Sequence, residues 1–140
     1  MFVKYYLNFY KQLARDMHIT KKIKFYNYVE DPFRIMISWQ IGIALYENIK
    51  GNLSIYCEPT KIKDYFSCGL PVITTNTTYF SKEIEKYKAG IIVDENVASI
   101  SNAINRLILN YSEYLIGVNN LVEKYEYRNW YRNKFKFLEY

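Results

Sequence analysis

Cysteine and histidine are scarce in this chain: Cys57, Cys68 and the single His18 are all that 140 residues contain. The two thiols show no paired spacing, so a disulfide framework is excluded; both read as structural residues of a protein from a reducing compartment. His18 falls near the end of the first expected helix and is read as a helix-end residue without a catalytic role. No clustering of His, Cys, Asp or Glu at ligand spacing occurs, and no metal is expected. Apolar runs of membrane-spanning length are missing as well. Met1 to Tyr10, with Lys4 and several tyrosines, has no secretion-signal core, which leaves cytoplasm as the default expectation. Blocks of one charge are also absent. Nineteen Lys and Arg are scattered among fourteen acids, so the net charge of +5 and the pI near 9.0 describe a mildly basic surface. No nucleic-acid partner is expected. Repeats, linkers and low-complexity tracts are not found.

Half of the residues are apolar, which argues against disorder, and 140 residues make one domain-sized body, small for a two-domain enzyme. The sixteen tyrosines accompany many Lys, Asn and Ile and read as a compositional bias rather than an aromatic binding platform. Val3, Tyr6, Leu7, Tyr10, Leu13, Ala14 and Met17 recur at intervals of three and four, the pattern of an amphipathic helix. A short strand is expected at Ile23 to Tyr26. A brief helix should follow, with Asp31 as N-cap and Pro32 in the first helical position. Ile41 to Tyr46 is a continuous apolar run of strand length, as for a strand covered on both faces. Further strands are expected at Val72 to Thr75 and Ile91 to Val93, with helices at Pro59 to Cys68 and about Ser81 to Lys88 between them. Strand, helix, strand, helix, strand is the alternation of a parallel sheet flanked by helices. Val97, Ile100, Ile104, Leu107 and Ile108 mark another amphipathic helix, and Leu115 to Tyr140 reads as further helical segments bearing Trp130, Phe135 and Leu138.

The most informative stretch runs from Tyr56 to Thr75 as loop, helix and strand. Pro59 suits a first helical turn, where its missing N–H costs nothing, and Gly69 followed by Pro71 closes the helix. Ile62, Tyr65 and Phe66 share one stripe of this helix, and Lys61, Asp64 and Cys68 share another. In an open α/β sheet ligands sit beyond the carboxyl ends of the strands. There the bare N–H groups around Thr60 and Lys61, with the helix dipole, form a site for a phosphate-like anion. The connection from Glu47 to Glu58, holding Gly51 and Asn52, is long for its place; it is either a binding loop or an insertion.

Pro59-Thr60-Lys61-Ile62-Lys63-Asp64-Tyr65-Phe66-Ser67-Cys68-Gly69-Leu70-Pro71-Val72-Ile73 resembles the recurring signature of the retaining GT-B glycosyltransferases of family 4, also called glycosyl transferases group 1. Weaker agreement extends from Ile23-Lys24-Phe25-Tyr26-Asn27-Tyr28-Val29 to Ala89-Gly90-Ile91-Ile92-Val93, so the likeness covers most of the chain. It implies a Rossmann-like α/β domain, the nucleotide-sugar-binding C-terminal half of such an enzyme, over residues 1–140. The resemblance places Asp64 where the family has the carboxylate that accepts hydrogen bonds from the donor ribose. It places Thr60 and Lys61 at the helix start facing the diphosphate. Charge building on that diphosphate as the glycosidic bond breaks would be met by pre-aimed dipoles, with no metal and no cofactor besides the donor. Read without the resemblance, Lys61 and Asp64 are an ordinary i,i+3 surface ion pair.

Two departures from the family pattern stand out. Where the family carries a first Glu, eight positions before the ribose-binding acid, this chain has Tyr56, with Glu58 two residues on. Either Glu58 substitutes through a shifted loop or the sugar is recognised differently. The family's first two strands of this domain, with an Arg and a Lys between them, find no counterpart, and neither does the acceptor-binding N-terminal domain. The expectation is a truncated or split glycosyltransferase piece that binds the donor nucleotide, its catalytic residues unidentified. Acceptors of the complete enzyme would be glycans or lipid-linked sugars, with peripheral membrane association through that enzyme. The alternative is a non-catalytic subunit that completes its sheet against a second chain.

Overall fold

The computed structural model describes residues 2–47 and 59–126, with side-chain burial described from residue 6 onward. The chain divides into two compact units, Met1–Pro32 and Phe33–Tyr140.

In the first unit the three-four periodicity produces α1 (Phe2–Asp16). The helix closes in a Schellman motif: the His18 N–H donates to the Arg15 carbonyl at 2.9 Å and the Ile19 N–H to the Ala14 carbonyl at 3.0 Å. His18 holds the left-handed conformation that this motif needs, at φ 54°. A 3-10 turn, Thr20–Lys22, follows. The strand expected at Ile23 to Tyr26 does not form. Ile23 is extended, at φ −122° and ψ 131°, but no ladder partner joins it among the described residues, and extended backbone becomes a strand only within a sheet.

The second unit is α/β. Its elements are α2 (Phe33–Met36), β1 (Gly42–Ala44), α3 (Thr60–Ser67), β2 (Val72–Thr75), α4 (Ser81–Tyr87), β3 (Gly90–Val93), α5 (Val97–Leu109) and α6 (Tyr111–Tyr125). Among the described residues the sheet has three strands in the order β1-β2-β3, all parallel. Gly42 pairs with Val72, which in turn pairs with Gly90. This is the Rossmann-like alternation expected from the sequence.

One face of the sheet is covered by α3, α4 and α6, where Ile62, Phe66, Val72, Ile84, Val118 and Leu121 form a single buried cluster. On the other face α5 packs Ala103 and Leu107 against Ile73 and Val93, joined by Tyr114 from α6. The central strand β2 is buried at every position. The edge strand β1 is not, contrary to the expectation of cover on both faces. Gly42 and Ala44 are buried beneath α3, whereas Ile43 is 43% exposed and Leu45 42%. The cause is the placement of α5, which contacts β2 and β3. The apolar positions assigned to α5 divide likewise: Ile100, Ile104 and Leu107 pack, but Val97 and Ile108 are 85% and 60% exposed. The expected helical residues Trp130, Phe135 and Leu138 lie outside the described residues. No helix among the described residues is long and apolar enough to cross a membrane.

Candidate functional site

Because β1, β2 and β3 are parallel, their carboxyl ends open on one edge of the sheet, and α3 begins there after the connection from β1. Pro59 occupies the N-cap of α3, one position before the first helical turn in which the sequence placed it. The Ile62 and Lys63 N–H groups donate to the Pro59 carbonyl at 3.1 and 3.3 Å. The N–H groups of Thr60 and Lys61 precede any acceptor within the helix, as the first amides of every helix do. Both residues are exposed.

Asp64 lies one turn along, half-buried. Its surroundings are defined by its neighbours. Burial, and secondarily the Asp64 charge, push the Tyr65 phenol and the Cys68 thiol above their ordinary pKa values. Asp64 shares its stripe of α3 with Lys61 and Cys68 and is the chain neighbour of Tyr65. Tyr65 lies across β1, where its hydroxyl reaches the Ile43 carbonyl at 3.4 Å. The ordinary ion pair between Lys61 and Asp64 is not made among the described residues. Ile62 and Phe66, on the packing stripe, are buried as expected. Thr60, Lys61 and Asp64 are thus brought together on one turn. Tyr56 and Glu58 fall outside the described residues, as does the rest of the connection after Glu47.

The strand ends beside α3 carry a hydroxyl network that sequence reasoning missed. Thr75 Oγ1 donates to the Tyr46 carbonyl at 2.7 Å and accepts the Tyr46 N–H at 2.9 Å. Thr77 Oγ1 donates to the same carbonyl at 2.6 Å, and Thr74 Oγ1 donates to the Ala44 carbonyl at 2.7 Å. Beyond β2, Ser81 Oγ donates to the Thr78 carbonyl at 2.6 Å, while Thr78 Oγ1 is buried without a hydrogen-bond partner. The one available signal was the run Thr74-Thr75-Asn76-Thr77-Thr78 straddling the end of a strand.

Two cavities open on this edge. One of about 240 Å³ is lined by Thr75, Asn76, Thr77 and the Val93–Glu95 turn. The other, about 380 Å³, lies between Leu45, Glu47 and the start of α5. Elsewhere, a polar cavity of about 440 Å³ lies at the opposite end of β3 around Lys88, Arg106 and Glu113. An apolar one of about 380 Å³ lies between α3 and the end of α6. Thr60, Lys61 and Asp64 line none of these four. No group of three or more His, Cys, Asp or Glu side chains is gathered at metal-binding range among the described residues.

Comparison with known families adds one finding. The family model described as Glycosyl transferases group 1 matches residues 5–125, a span that includes β1, α3, β2 and β3. No curated protein and no solved structure matches the chain.

Proposed function

Because this chain belongs to the glycosyl transferases group 1 family, we propose that it binds the nucleotide diphosphate of an activated sugar at the start of α3. In this reading the fold is the donor-binding half of a GT-B enzyme of family 4. The N–H groups of Thr60 and Lys61 meet the diphosphate, and the Asp64 carboxylate accepts hydrogen bonds from the ribose hydroxyls. With Tyr56 where the family carries its first Glu, either Glu58 substitutes for that Glu or the sugar is recognised differently. As the bond between the sugar and the diphosphate breaks, negative charge accumulates on the leaving group. Amides already aimed at it stabilise that charge without reorganising. The transferred unit is a hexosyl group, passed with retention to a glycan or lipid-linked acceptor that another domain or chain supplies.

The observation that carries the reading is the conjunction at α3: exposed Thr60 and Lys61 at the helix start, with a carboxylate one turn along that makes no ion pair with Lys61. Titration with UDP and GDP tests it, with an oligonucleotide at two salt concentrations as control. Saturable binding of one nucleotide diphosphate, lost in Asp64→Ala while the fold is retained, is the expected result. Binding that Asp64→Ala leaves untouched, or strongly salt-dependent oligonucleotide binding alone, contradicts it.

A second reading is favoured by the sheet itself. Among the described residues the outer edges of β1 and β3 pair with nothing, and unpaired edges are surfaces for strand addition. The sheet would then form part of a larger one, completed by further polypeptide. A mass that rises with concentration, or co-purification with a second chain, supports this; a monomer at every concentration opposes it.

A further inference from the structure

We propose that Thr75 and Thr77 are positioning residues of the donor site, fixing the chain where it leaves β1 and thereby the face of α3 that carries Asp64; the inference rests on the donor-binding reading above. Both threonines are buried, at 4% and 6% exposure. Their hydroxyls act on one peptide unit and its neighbour. The Tyr46 carbonyl accepts from Thr75 at 2.7 Å and from Thr77 at 2.6 Å, and its N–H donates to Thr75 at 2.9 Å.

The proton count makes this a defined clamp. Each hydroxyl has one hydrogen, and both are given to the Tyr46 carbonyl. The 3.2 Å contact between Thr75 Oγ1 and Thr77 Oγ1 is left as a close approach of two oxygens whose hydrogens are already used. Both lone pairs of the carbonyl are taken, so the peptide cannot turn without breaking two buried hydrogen bonds.

From Tyr46 the constraint passes to α3 through side chains. Tyr46 packs against the buried cluster that includes Ala44, Ile62 and Phe66, as does Tyr65. Burial, then the neighbouring Tyr65, raises the Tyr46 phenol pKa, and the Tyr65 phenol in turn senses Asp64. Tyr65 also bonds the Ile43 carbonyl. A shift of the strand end thus moves the residue beside the ribose-binding carboxylate.

The test compares Thr75→Val, Thr77→Val and Thr75→Ser in the full chain, reading Tyr46 amide hydrogen exchange, affinity for UDP or GDP, and Tm. Valine keeps the shape and removes the hydroxyl; serine restores it. Loss of the two buried hydrogen bonds that Thr75 makes to Tyr46 predicts at least roughly tenfold faster Tyr46 exchange and roughly tenfold weaker nucleotide binding in Thr75→Val, both recovered in Thr75→Ser. Thr77→Val should weaken binding while retaining most of the Tyr46 amide protection, since it bonds only the carbonyl. Unchanged Tyr46 exchange in Thr75→Val overturns the clamp. Faster exchange with unchanged affinity overturns the positioning role. Failure of the unmodified chain to bind either nucleotide refutes the donor reading and the positioning role together, and the exchange data then stand for the clamp alone.

Discussion

At Gly42 a single methyl group would have nowhere to go. An added Cβ would lie 2.3 Å from Tyr65 Cδ2, in the ring that covers β1. Gly42→Ala should therefore destabilise the protein by about 1–3 kcal/mol, as overpacking does, and should weaken nucleotide binding by displacing Tyr65 beside Asp64. Thermal unfolding and the UDP or GDP titration measure the two effects. Gly69 is required for a different reason: nothing lies within 4 Å of its would-be Cβ, but its φ is +73°. Its N–H and that of Leu70 close α3 in the same Schellman motif that closes α1 at His18, and Lys88, at φ 53°, repeats it after α4. Only the first of the three was legible in the sequence. The motif is made by backbone groups, and a residue with a Cβ can hold the left-handed turn at an energetic cost that leaves no mark on composition. Replacing the strained residue should relieve that cost. His18→Gly is expected to stabilise by about 0.5–1 kcal/mol and to raise Tm, whereas Gly69→Ala should lower it.

Among the elements, α4 and α6 are held together by packing and by a charged contact with a pH signature. Ile84 and Leu121 are almost wholly buried in the shared cluster, so Leu121→Ala should cost about 2–5 kcal/mol in chemical denaturation. Above them Lys124 donates to Glu83, and the Tyr125 hydroxyl approaches the same carboxylate at 3.3 Å. The Lys124 hydrogen bond, opposed in part by burial, holds the Glu83 carboxyl below its ordinary value of 4.5. A folded-state pKa below the unfolded one gives stability that is complete above about pH 4.5 and is lost as pH falls through the folded value. Lys124 is shifted upward by the same bond, so its contribution is complete below about 10.5 and fades as pH rises through the folded value. Glu83→Gln should flatten the fall of Tm on the acid side, and an unchanged acid limb would remove this contact from the balance. The Lys88–Glu113 bridge, at 2.5 Å, is exposed on both sides and should contribute little. How far the elements could be read from sequence follows from the same physics. β2 was legible to the residue because a strand buried on both faces writes itself as Val72-Ile73-Thr74-Thr75 between Pro71 and a polar turn. β1 read longer and better covered than it is, since apolar letters do not say that α5 lies elsewhere. Ile23 to Tyr26 had the composition of a strand without a neighbour to pair with among the described residues.

At the scale of the whole molecule, the parallel order of the three strands among the described residues sets the carboxyl edge, where the threonine clamp borders one of two cavities. The helix that carries Thr60, Lys61 and Asp64 was legible because it sits inside a signature with start and stop residues at both ends. The clamp was not, because its logic lies in contacts between Tyr46 and residues 29 and 31 positions away. The central claim is that the first amides of α3 hold the donor diphosphate, and amide NMR of the labelled chain during addition of UDP or GDP addresses it most directly. The Thr60 and Lys61 resonances should move furthest and saturate together, with Asp64→Ala abolishing the change. Saturable binding that leaves those two amides unmoved, with the shifts gathered instead around Arg106 and Lys88 at the far end of β3, would contradict it.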